Sequence, residues 1–169
     1  MITKICGLKT LRFILLACAV AGCERSTQVR LEGGIAPVFE LSGSGAVAIF
    51  TVYSPDYMTK AKSLGDEAFA LWEIKASGGY FSGAWISNLA SITYGVLPSG
   101  YVQVRPKEGP PPRLVEGQKY SYSVETTNAP GAGGFFEIKD SRAVPNADSG
   151  PCFQLKNGKE ILVSCPKGF

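Results

Sequence analysis

The chain has 169 residues, with 17 lysines and arginines against 14 aspartates and glutamates and no histidine. Without an imidazole, Ser-His-Asp and Cys-His catalysis, histidine zinc sites and histidine-based pH sensing are excluded. The three excess cations are Lys4, Lys9 and Arg12, so from residue 23 onward fourteen basic residues balance fourteen acidic ones, which offers no footprint for nucleic acid and no polybasic membrane patch.

Those cations precede a short uncharged apolar run, Phe13 to Ala21, that ends on the small pair Ala21-Gly22. This is the order of parts in a secretory signal peptide. The run falls well short of the ~18 to 20 residues that span a bilayer as a helix, so it reads as an export signal. Two cleavage readings compete. Ala19-Val20-Ala21 satisfies the small-x-small rule of ordinary signal peptidase, whereas Val20-Ala21-Gly22-Cys23 resembles the lipobox of bacterial lipoproteins. That resemblance implies cleavage before Cys23, a diacylated Cys23 thiol and often an acylated amino group. Cysteine arithmetic favours it: Cys6 and Cys18 leave with the leader, and ordinary cleavage would strand one of Cys23, Cys152 and Cys165 in an oxidising compartment. Lipidation of Cys23 leaves Cys152 and Cys165 as one disulfide pair. Two acyl chains, at ~0.8 kcal/mol per buried methylene, anchor a domain without help from protein charge. The expected address is the bacterial cell envelope. Glu24 stands where some lipoproteins carry an aspartate that signals inner-membrane retention, so the resemblance favours the outer membrane.

The 147 residues after position 22 suffice for one domain. Frequent Gly and Pro and scarce helical periodicity predict an all-β fold. Residues 23–34 read as a tether, 35–142 as a β-sandwich and 143–169 as a separate tail. Pro37 to Leu41 is a short apolar strand candidate, followed by a turn at Gly43-Ser44-Gly45. Ala46 to Tyr53 alternates with both faces mostly apolar, which predicts a central strand. Pro55 to Ala68 is expected to be a long loop with a short helix. Phe69 to Ala76 alternates with Ala70, Trp72, Ile74 and Ala76 facing the core, and Trp72 is the large residue around which two sheets would pack. After the Gly78-Gly79 turn, Ala84 to Leu89 is an apolar stretch holding Trp85 and Ile86.

Tyr94-Gly95, Pro98-x-Gly100-Tyr101, Pro110-Pro111-Pro112 and Gly117-x-x-Tyr120 then follow in series. In these features the chain resembles a set of uncharacterised bacterial lipoproteins built on one small β domain. The resemblance covers about residues 71 to 138 and implies architecture, with no activity attached. Tyr101 to Arg105 reads as a strand stopped by Pro106, and the proline run as a stiff extended connection. Lys119 to Thr127 alternates, with Tyr120, Tyr122 and Val124 inward and the serines toward water. Asn128 to Gly134 is a loop, and Phe135 to Asp140 a strand with Phe136 and Ile138 inward. About seven strands at this spacing predict an immunoglobulin- or fibronectin-like sandwich, with a small barrel as the alternative.

In the tail, Asn157-Gly158 lies between two apolar runs, a hairpin signal. A two-residue turn would oppose Cys152 to Val163 and leave Cys165 on a diagonal of ~7 to 8 Å, beyond ordinary disulfide reach. A four-residue turn over residues 157–160 would oppose Cys152 to Cys165, and is the expectation.

The remaining chemistry is sparse. Gly43-Ser44-Gly45-Ala-Val-Ala48 lacks the helix a dinucleotide site needs, and Asn146-x-Asp148-x-Gly150 lacks the downstream glutamate of a calcium loop. No cofactor, metal site or catalytic residue is expected. The function expected is a non-enzymatic binding or structural module, held to the membrane by lipid and open to an envelope protein or polysaccharide partner, with the loops 53–68 and 129–134 as candidate probes. A cell-wall glycan hydrolase using carboxylates such as Asp66 with Glu67, or Glu137 with Asp140, is the alternative. It needs two acids converging ~5 to 10 Å apart in a cleft.

Overall fold

The computed structural model describes residues 25–57, 66–146, 151–156 and 159–164. Its elements in chain order are β1 (Gln28–Glu32), β2 (Val38–Ser42), β3 (Ala46–Tyr53), β4 (Ala70–Ala76), β5 (Ala84–Trp85), a one-turn helix α1 (Ile86–Leu89), β6 (Ser91–Thr93), β7 (Tyr101–Arg105), β8 (Lys119–Thr127), β9 (Ala132–Lys139), β10 (Arg142–Pro145), β11 (Pro151–Lys156) and β12 (Lys159–Ser164). Short 3-10 turns occupy Asp66–Phe69 and Tyr80–Ser82.

A three-stranded sheet runs β1-β2-β6, and a seven-stranded sheet runs β10-β9-β8-β3-β4-β7 with β5 also on β3. As its two-sided apolar alternation predicts, β3 is central: it pairs with β8 on one side and with β4 and then β5 on the other. The two sheets pack face to face as a sandwich-like, all-β body. Phe39 of β2 makes the junction, its ring 4.8 Å from Phe50, 5.1 Å from Tyr122 and 5.9 Å from Phe136 across the interface. Trp72 is fully buried beside Phe50 and Tyr94, and its indole N–H donates to Gln103 Oε1 at 3.1 Å. Tyr120, Val124, Phe136 and Ile138 fill the same layer, as their period-two placement predicts.

The large sheet ends at β7, followed at once by Pro106, and at β10, whose last residue is Pro145. The two-residue connection from β9 to β10 is a tight turn with Asp140 and Ser141 at φ 51 and 59, and the Glu116 carboxylate accepts both of their N–H groups.

Several expectations need correction. The stretch read as a tether contains β1, paired in register with β2 from Gln28 opposite Ser42 to Glu32 opposite Val38. Its Val29 and Leu31 pack on the core, which ordered backbone can exploit and a free tether cannot. Among the described residues ten strands form the two sheets, against the seven expected between Pro37 and Asp140, because β1 and β10 lie outside that span and the three-residue β6 is too short to show periodicity. The apolar stretch 84–89 is a strand fragment followed by a helical turn. In the tail hairpin Lys156 opposes Lys159 and Cys152 opposes Val163, so the connection spans two residues and the four-residue turn is overturned. Asn-Gly is a dipeptide that favours two-residue hairpin connections, which accounts for this register.

Candidate functional site

The residues singled out by sequence are distributed as follows. Cys23 and Cys165 lie outside the described residues, and Cys152 lies in β11. Of the acids considered for hydrolysis, Asp66 opens a 3-10 turn, Glu137 pairs with Lys139 at 3.2 Å, and Asp140 sits in the β9–β10 turn. A surface depression of about 300 Å³ between β1 and β2 is lined by Gln28, Val29, Arg30, Glu40, Leu41 and Ser42. Its one carboxylate, Glu40, is held by Arg30 at 2.6 Å. Among the described side chains, Glu137 and Glu40 are each engaged by a cation. Of the loop 53–68, residues 53–57 and 66–68 are described, and the Tyr57 ring stacks on Tyr53 at 4.3 Å.

A more distinctive constellation forms where the described chain begins. Ser44 donates to the Arg25 carbonyl through its N–H at 3.0 Å and its hydroxyl at 2.8 Å, and the Thr27 N–H donates to Pro130 at 3.0 Å. The close approach requires Gly43, at φ +117: a Cβ there would lie 2.5 Å from the Ser26 carbonyl. The N-terminal segment is thereby fixed to the end of the sandwich where β3 starts and β8 turns into β9. One residue past Ser44, the Gly45 carbonyl accepts the Ile86 N–H at 3.0 Å, and Ala46 pairs with Trp85.

Trp85 is half exposed at this end, and the preceding loop adds Tyr80 at 46% and Phe81 at 86% exposure, their rings 5.4 Å apart edge to face. This aromatic group rests on a rigid base. The Tyr101 hydroxyl donates to the Val47 carbonyl at 2.7 Å and accepts the Ala84 N–H at 3.1 Å, so one buried side chain ties β7, β3 and β5 together. Burial pushes the Tyr101 hydroxyl up from its ordinary pKa, the Ala84 N–H opposing, which keeps it a donor through the physiological range. Sequence reasoning placed Trp85 in an apolar stretch and passed over Tyr80 and Phe81. The available signal was their setting, Gly78-Gly79-Tyr80-Phe81-Ser82-Gly83, since aromatics framed by glycines project from a turn with no strand periodicity to bury them.

Charge separates the two ends. Across residues 25–27, 43–45, 77–90, 98–100 and 128–131, the described residues of this end, Arg25 is the one charged residue. The opposite end carries Asp56, Lys107, Glu108, Arg113, Glu116, Asp140 and Arg142 in its loops and strand ends. Comparison with models of known protein families, with curated proteins and with solved structures found no match to this chain.

Proposed function

We propose that the chain is a lipid-anchored protein of the bacterial cell envelope, exported by residues 1–22, acylated on Cys23, and carrying a β-sandwich that binds an envelope protein or polysaccharide, or serves structurally, without catalysing a reaction. The observation that carries this reading is the Val20-Ala21-Gly22-Cys23 sequence closing an export leader, followed within five residues by the first strand of the domain. Glu24 makes the outer membrane the favoured location. The immunoglobulin-like comparison is an analogy supported by the central buried Trp72, while the partition into three and seven strands departs from it. Cys152 with Cys165 is the disulfide of this reading by cysteine count. With Cys152 opposite Val163, the bond asks Cys165 to fold back over the end of β12.

The test is intact mass of the membrane-extracted protein beside Cys23→Ser. The expected native species starts at Cys23, carries diacylglyceryl and lacks two hydrogens at the distal cysteines, whereas the variant is unacylated and recovered in the water-soluble fraction. A water-soluble native product beginning at Gly22 would sink the reading.

A further inference from the structure

On the lipoprotein reading, the lipid-bearing residue lies two positions before Arg25, which is already fixed to Ser44. Two residues of fully extended chain reach at most ~7 Å. Whatever the acyl chains enter must therefore come close to this end of the sandwich. That end presents Tyr80, Phe81 and Trp85 to solvent, and among the described residues Arg25 is its one charge, with Glu24 standing between it and the lipid-bearing Cys23. Amphipathic aromatic rings settle at the headgroup level of a bilayer, where an apolar body and a polar rim are both satisfied.

We propose that Tyr80, Phe81 and Trp85 form a second membrane contact: the lipid holds the domain to the leaflet, and the aromatic loop, seated in the interfacial region beside it, fixes the domain upright with its charged end facing away. The inference rests on Cys23 acylation and goes beyond it, because a lipid on a free tether would leave orientation random. The pairing of β5 with β3 and the double hydrogen bond of Tyr101 hold the rings where a flexible loop would not. The occupant is the bilayer that the acyl chains enter, since the short reach brings that surface to the rings.

The chain has two tryptophans, Trp72 buried and Trp85 half exposed, so emission separates them. Full-length acylated protein is reconstituted into vesicles of phosphatidylethanolamine and phosphatidylglycerol, with and without acyl chains brominated near the headgroup. The expected result is emission lost to the brominated lipid, protection from aqueous iodide, and disappearance of both effects in Trp85→Phe, whose remaining indole is buried. Tyr80→Ser with Phe81→Ser, in loop positions that leave the core intact, should restore part of the iodide access. Acylated protein that floats with the vesicles while Trp85 stays open to iodide and blind to bromine overturns this inference and leaves the anchor standing. Protein that lacks the acyl mass and does not float overturns both. Shielding of Trp85 in lipid-free Cys23→Ser protein that grows with concentration would assign the rings to a second copy of the chain, and also overturns it.

Discussion

Phe39 shows how much one side chain carries here. It is fully buried, and it brings the small sheet against three rings of the large one. Phe39→Ala should cost about 3–5 kcal/mol, a transfer loss plus a cavity that two stiff sheets cannot close, while Phe39→Leu should cost about 1.5 kcal/mol or less; urea midpoints at constant slope measure both. Alternation made Trp72, Tyr122 and Phe136 legible as inward residues. Nothing in the short Pro37 to Leu41 run marked Phe39 as the junction, because that role depends on a sheet assembled from distant strands. The polar face of β8 was misread in part. Ser121 is buried where water was expected, flanked in register by Tyr53 and Phe135, and the Tyr53 hydroxyl lies 3.2 Å from Ser123 Oγ on the same face. Two aromatic neighbours cover a serine that its own strand pattern would expose.

At the scale of elements, β3, β4 and β8 were readable because each is long enough for period two to show. β1 also alternates, with Val29 and Leu31 half buried between Gln28, Arg30 and Glu32. Its polarity and its place directly after the stretch that reads as a leader mask that signal. β5 and α1 replace a simple apolar strand because Gly83 must press against the neighbouring backbone: a Cβ there would sit 2.0 Å from the Val47 carbonyl. Gly83→Ala should therefore push β5 off β3 and cost about 1–3 kcal/mol as local overpacking. Hydrogen exchange at the Ile86 N–H, bonded to Gly45, would speed up while amides of the β3–β8 pairing keep their protection.

For the whole molecule, buried tyrosines set the response to alkali. Burial pushes Tyr122 up to about 12, and it raises Tyr94 further and Tyr101 in the same direction. An unfolded tyrosine titrates near ~10. Between the unfolded and folded values the unfolded chain has released protons that the native state keeps, so stability falls as pH rises. Below pH ~10 these groups contribute no slope; from there to pH ~12 Tyr94 and Tyr122 can each remove up to about 1.4 kcal/mol per pH unit, and Tyr101 acts in the same direction. Thermal midpoints should hold level to about pH 10 and then drop, with Tyr122→Phe flattening the fall if the fold tolerates the lost hydroxyl; an unchanged midpoint at pH ~11.5 would refute the assignment. The prolines at the two rims of the large sheet acquire meaning at a surface. On the proposed lipid anchoring, molecules confined to one leaflet would collide broadside far more often than in dilute solution, and strands with open rims would template one another into fibres. Pro106 at the end of β7 and Pro145 at the end of β10 withhold N–H donors at those rims, which lets neighbours crowd without stacking.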